Sequence, residues 1–202
     1  MPYSEKITKT FIQKLPIKQY EGEIKIIAED KAVTLALDEL YQESILGFDT
    51  ESRPAFRKGE TYPPSILQLS GATCVYLFQL QKIRDIKKLT TLLEDVAILK
   101  VGVAIRDDIK KLQQDTPFSP AGFIELSDFT RKQGIVHTGL RNLTALFLNF
   151  RISKGAQITD WSKSELSKAQ IRYATTDAWV SRELFLHLQK EGIIENPLAP
   201  SL

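Results

Sequence analysis

The apolar positions of this chain change period along its length, and those changes mark out its elements. Over residues 23–28 polar and apolar positions alternate as in a strand, and Asp30 stands where it can cap an apolar-periodic helix running to about Tyr41. The segment ILGFD, ending at Asp49, reads as a buried strand. A stretch rich in proline, glycine and charge, residues 53–64, leads into two more strands, SILQLS and CVYLFQL, separated by Gly71, Ala72 and Thr73. Three strands in succession predict an antiparallel meander.

The pattern then turns helical. Residues 83–94 have helical spacing, AILKVG is a short strand, and residues 105–114 are helical again before Pro117. FIELSDF reads as a further strand, followed by helical patterns over residues 140–150 and 166–189. Ser167 with Gln170 forms a capping-box start for the last helix. A meander passing into strand-helix alternation predicts an α/β domain, a mixed sheet flanked by helices.

A chain of 202 residues suits one such domain better than two. We place it at residues 23–192, with an N-terminal extension over 1–22 and a proline-punctuated tail over 193–202. Charged residues at 26% beside 43% hydrophobic ones exclude a disordered or fibrous chain. No apolar run approaches the roughly 18 residues that span a bilayer, and the first residues lack the apolar stretch of a secretory signal. The expectation is a cytoplasmic protein with no membrane partner. The single cysteine, Cys74, sits in an apolar run, so no internal disulfide can form and the thiol reads as a small buried hydrophobe. A net charge of +2 does not by itself point to nucleic acid, so any such reading must come from local chemistry.

That chemistry is acidic. Asp49 and Glu51 end an apolar strand and, being two apart, point to one face. Such a pair alone is common in solvated turns. A third carboxylate comes from VGVAIRDDIKKL, where Ile105, Ile109 and Leu112 form a buried stripe; Asp108 flanks it and Asp107 faces nearly opposite, toward solvent. A fourth, Asp177, lies one turn after Tyr173 on the last helix, at the edge of a stripe containing Ala174, Ala178, Phe185 and Leu188. Like charges about 4 Å apart repel by roughly 4 kcal/mol at an effective dielectric near 20. Two divalent cations, Mg²⁺ or Mn²⁺, would relieve that repulsion, because hard oxygen ligands suit them better than zinc. No CxxC or HExxH pattern supports zinc, no phosphate-binding G-x-x-x-x-G-K-[ST] supports a nucleotide cofactor, and no G-x-S-x-G supports a serine nucleophile.

The segments GFDTE, VGVAIRDDIKKL and YATTDA, in that order, resemble the DEDD exonuclease superfamily, and specifically its tyrosine branch, which includes ribonuclease D and the Werner-syndrome exonuclease domain. The resemblance extends through TDWSKSELSKAQIRYATTDAW. The histidine branch places its histidine five residues before the last aspartate, where this chain has Arg172; the tyrosine branch places its tyrosine four before, as Tyr173 is here. Ribonuclease D carries an asparagine four positions before its second-motif aspartate; Ala104 stands there in this chain, which brings the motif closer to the Werner type.

The resemblance implies a ribonuclease-H-like fold and two-metal hydrolysis from a free 3′ end of DNA or RNA. Asp49, Glu51, Asp108 and Asp177 would be the metal ligands, and Tyr173 would orient the attacking water. Arg53, Arg57, Lys58, Arg131, Lys132 and Arg141 are candidate phosphate contacts, with Thr50 also placed near substrate. Phe56 and Tyr62 are candidate stacking platforms. Two alternatives stay open: a hydrolase of very short oligonucleotides, and a catalytically silent nucleic-acid-binding or interaction module.

Overall fold

The computed structural model describes residues 7–57 and 59–195. Lys58, residues 1–6 of the extension and residues 196–202 of the tail lie outside the described residues. In chain order the elements are α1 (Lys9–Lys14), β1 (Glu23–Ile27), α2 (Asp30–Leu40), β2 (Ile45–Ser52), β3 (Pro64–Ser70), β4 (Cys74–Gln79), α3 (Lys87–Glu94), β5 (Leu99–Gly102), α4 (Arg106–Asp115), β6 (Phe123–Glu125), α5 (Leu126–Lys132), α6 (Leu140–Phe147) and α7 (Lys168–Lys190).

One sheet runs β1-β4-β3-β2-β5-β6. Strands β2, β3 and β4 form the antiparallel meander that their short apolar runs predict, while β1 joins β4, β5 joins β2 and β6 joins β5 in parallel. Strand β3 therefore runs against all the others, which gives the mixed sheet expected of the pattern.

Strand alternation sorts the sheet into two buried faces. Leu46, Phe48, Leu67 and Leu69 pack with Val33 and Leu40 of α2, Leu89 and Leu92 of α3, and Ile105 and Leu112 at α4. On the opposite face Ile66, Val75 and Leu77 meet Trp161 and the Ala174 and Ala178 stripe of α7. Farther along the same helix Leu184, Phe185 and Leu188 pack with Leu99, Val101 and Leu143. The small stripe allows α7 to approach β2 closely: a Cβ built on Gly47 would stand 2.0 Å from the Ala178 carbonyl oxygen.

Several local expectations are corrected. FIELSDF is strand only at Phe123–Glu125; its second half is the helix α5, whose turn buries Leu126, Ser127 and Thr130. Asp30 is not the N-cap of α2, a position held by Glu29; its carboxylate instead accepts the backbone N–H groups of Arg84 and Asp85 at 2.9 and 3.1 Å. Helix α3 starts only at Lys87, after a single 3₁₀ turn at Leu80–Lys82, and α6 stops at Phe147 rather than at residue 150. The capping box of α7 is present, with Ser167 accepting the Gln170 N–H and Gln170 accepting the Ser167 N–H.

The stretch ahead of β1 is tied to the body. Ile12 of α1 is buried, Lys18 and Arg151 are bridged backbone to backbone, and the Tyr20 N–H donates to the Thr176 hydroxyl of α7 at 3.1 Å. Among the described residues, no helix is long and apolar enough to cross a membrane.

Ala104, just before α4, has φ +63°. An L-residue other than glycine or asparagine adopts this left-handed conformation at a penalty of roughly 1–2 kcal/mol. Asparagine, the residue of the ribonuclease D pattern at this position, tolerates it better. Because residue 104 is exposed, Ala104→Asn is expected to raise stability by up to about 1 kcal/mol. At this chain length each kcal/mol moves the melting temperature by about 2–4 °C, and a lower melting temperature in the variant would remove this account of the position.

Candidate active site

Strand β2 carries Asp49 and Glu51 on the face that α7 covers, since residue 47, two earlier, already touches α7. Asp177 comes down from α7 onto the same spot. Ligand-type oxygens of Asp49, Glu51 and Asp177 all lie within 4.8 Å of one another. Asp177 is buried, and its Oδ1 atom has no hydrogen-bond partner among the described residues.

Asp108 arrives from the other layer. It belongs to α4, which packs on the opposite face of the sheet, and it stands outside that trio. Thr50, lying between Asp49 and Glu51 and therefore facing the α4 side, links the two layers: its hydroxyl donates to Asp108 Oδ1 at 2.7 Å. The Thr50 hydroxyl proton is thereby committed to Asp108. Asp107 points away as the helical spacing requires, with its side chain 83% exposed and paired to Lys110.

Glu125 sets where α4 begins. Its carboxylate accepts the N–H groups of Ala104 and Ile105 at 2.9 and 2.8 Å, and the Ser127 N–H and hydroxyl at 3.1 and 2.7 Å. A helix start that lacks a cap of its own is thus satisfied by a carboxylate from a neighbouring strand. Its sequence signal was obscured because FIELSDF reads as alternating strand.

The electrostatics follow from crowding. Loss of water around Asp49, then the charges of Asp177 and Asp108, push its carboxyl well above the ordinary range. Glu51 is pushed up to about 10 by burial and then by Asp49, Asp177 and Asp108. Burial also raises Asp177, to about 7, against the opposing pull of the Tyr173 hydroxyl and of Lys154. Asp108 is raised by burial, an effect moderated by the Thr50 hydrogen bond. The Tyr173 phenol is raised as well, first by burial and then by Asp177 and Glu51. Acids gathered so closely, one with a buried and unpartnered oxygen, fit hard divalent cations, which supply the missing positive charge and oxygen-ligand partners.

Trp161, wholly buried, supports Tyr173, with ring centroids 6.0 Å apart and planes tilted by 48°. The segment carrying Trp161 is fastened to α7, since Gln170 Nε2 donates to the Asp160 carbonyl at 3.0 Å.

The expected substrate contacts are less unified. Arg53 lies over the Tyr62 ring at 5.0 Å, and Phe56 is 82% exposed on the same loop. Arg57 is exposed and faces Glu60 at 4.0 Å. Arg141 has a buried Nε without a partner among the described residues. The Arg131 guanidinium is already bound to Asp128 and Ser127, and the Lys132 ammonium sits 5.7 Å from the Phe129 ring centre.

A mixed sheet with helices on both faces, and carboxylates gathered where a central strand meets the last helix, defines a ribonuclease-H-like domain with an acidic site. Residues 24–193 match the 3′–5′ exonuclease family, and the chain belongs to it. It is 29% identical over 170 residues to ribonuclease D of Haemophilus influenzae, an alignment covering 83% of this chain and 42% of that protein. It is 34% identical over 163 residues to exonuclease 3′-5′ domain-containing protein 2 of Mus musculus, covering 74% of this chain and 25% of that one. The chain thus spans less than half the length of these relatives. The fold is that of the Aedes aegypti Nibbler EXO domain, with a TM-score of 0.77 at 22% identity over 86% of this chain and 90% of the other.

Proposed function

We propose that this domain is a divalent-metal-dependent 3′-to-5′ exonuclease that hydrolyses the terminal phosphodiester of DNA or RNA and releases nucleoside monophosphates. The observation that carries the reading is the meeting of Asp49, Glu51 and Asp177 within 4.8 Å, with Tyr173 one turn from Asp177. Asp49, Glu51 and Asp177 would hold one ion, and Asp49 with the Asp108 side would hold a second. Two Mg²⁺ or Mn²⁺ ions, when bound, supply the Lewis acidity for in-line displacement at phosphorus.

The chain's own groups do the rest. Tyr173, kept protonated by its surroundings, holds the attacking water by hydrogen bonding and does not act as a base. Its orientation is fixed by Trp161 beneath it. Thr50 keeps the Asp108 carboxylate turned toward β2. Arg53 and Arg57 on the loop after β2 meet phosphates, and the exposed Phe56 ring stacks on a terminal base, which selects strands without selecting sequence.

The test uses 5′-labelled single-stranded DNA and RNA with the purified protein, with and without Mg²⁺ or Mn²⁺, beside an Asp49→Asn variant. Stepwise shortening from the 3′ end that needs the metal and fails in the variant is expected. Digestion without metal, or undiminished digestion by the variant, would sink the mechanism.

A further inference from the structure

Gln68 lies in the middle of β3, wholly buried, and neither its amide nitrogen nor its amide oxygen has a hydrogen-bond partner among the described residues. A buried amide left unpaired destabilises the fold, whereas an apolar side chain of the same shape would not. Its position is specific. Across the β2–β3 ladder Gln68 stands directly opposite Asp49, and on its other side it stands opposite Leu77. Ile66, two residues earlier, packs with Ala174 and Ala178, so alternation puts the Gln68 amide on the face that α7 covers, with Asp49, Glu51 and Asp177.

Carboxylates that bind ions are held in orientation by further hydrogen-bond partners, and losing such a partner commonly weakens binding by 10–100-fold. Asp49 Oδ1 accepts the Thr50 N–H at 2.9 Å. The group facing Asp49 across the ladder is a neutral amide. A neutral donor can steady a carboxylate without competing with the ions for its charge, which a lysine or arginine in that place would do.

We infer that Gln68 is a positioning residue of the metal-loaded site, its amide N–H donating to the Asp49 carboxylate once ions are bound. This rests on the metal-dependent exonuclease reading above. The amide is kept for the loaded state and tolerated in the empty one, so the two states should respond to its removal with opposite signs.

Gln68→Met, similar in length and shape but without hydrogen-bonding groups, is expected to raise the melting temperature of the metal-free protein. The same variant should weaken Mn²⁺ binding, measured by calorimetric titration, by at least about tenfold. An amide with a purely structural role would instead lower the metal-free melting temperature and leave Mn²⁺ affinity unchanged, and that result overturns the inference. A second measurement needs no variant: Mg²⁺ added to the wild type should shift the Gln68 side-chain NH₂ resonances and slow their exchange with water, and unaltered resonances overturn it. Wild-type protein that binds no Mn²⁺ overturns the metal-dependent reading and this inference with it. Normal wild-type binding together with an unaffected variant overturns this inference alone.

Discussion

Asp177→Asn is expected to lower the exonuclease rate by at least about 10³-fold, equivalent to about 4 kcal/mol of transition-state stabilisation, while raising the melting temperature of the metal-free protein. The two effects share one cause. Asp177 is buried, close to Asp49 and Glu51, with an oxygen that has no hydrogen-bond partner among the described residues. An amide there cannot supply the charge an ion needs, yet it also removes an acid that the empty site holds at a penalty.

The pH dependence gives the sign. The carboxyl of Asp177 is raised to about 7 and that of Glu51 to about 10, whereas both titrate near 4 in an unfolded chain. Above about pH 4 the native state therefore retains protons that the unfolded state releases, and metal-free stability falls as pH rises. For Asp177 the fall is complete once pH passes about 7. Metal-free wild type should melt at a lower temperature at pH 8 than at pH 5, Asp177→Asn should flatten part of that slope, and saturating Mg²⁺ should restore wild-type stability at pH 8. Thermal melts at the two pH values, with and without Mg²⁺, check all three. A variant that melts below wild type, or that retains its rate, refutes the assignment.

Gly47→Ala is expected to be the most damaging change that adds only a methyl group. The new Cβ would stand 2.0 Å from the Ala178 carbonyl oxygen and 3.1 Å from Arg182 Cβ, so either α7 or β2 must move. Forcing a methyl group into a packed contact costs about 1–3 kcal/mol, and here the obstacle is backbone, which places the expected loss at the upper end. Asp177 is the residue next to Ala178, and a displaced α7 carries it away from Asp49 and Glu51. Stability and Mn²⁺ affinity should therefore fall together. A variant with wild-type melting temperature and wild-type metal affinity would show that the close approach does not position the site.

The parts legible in the sequence were those set by local pattern. The runs SILQLS and CVYLFQL are apolar and closely joined, so the meander of β2, β3 and β4 could be read directly. Helical periodicity separated Asp108 from Asp107, and the structure turns the first toward Thr50 and the second toward solvent. Ser167 and Gln170 announced the start of α7.

The parts that were not legible depend on partners distant in sequence. Asp30 looks like a helix cap, but its carboxylate is occupied by backbone groups at residues 84 and 85. The turn at Leu126 is helical although its sequence alternates, because the Glu125 carboxylate caps it and Ser127 and Thr130 are buried. Thr50 faces α4 only because the two layers of helices lie on opposite sides of β2, a fact of topology. The bare amide of Gln68 is likewise invisible in a segment that reads simply as buried strand.

Helix α7 joins chemistry to folding in a single rod of 23 residues. Tyr173 and Asp177 occupy its first half, while Leu184, Phe185 and Leu188 in its second half are wholly inaccessible to solvent. Its amide protons in that region are expected to exchange only through rare openings of the whole domain, because these side chains lie in the buried core. Tyr173 and Asp177 are continuous with that core through one uninterrupted helix. Inactivation by heat should accordingly coincide with collapse of the entire domain instead of preceding it.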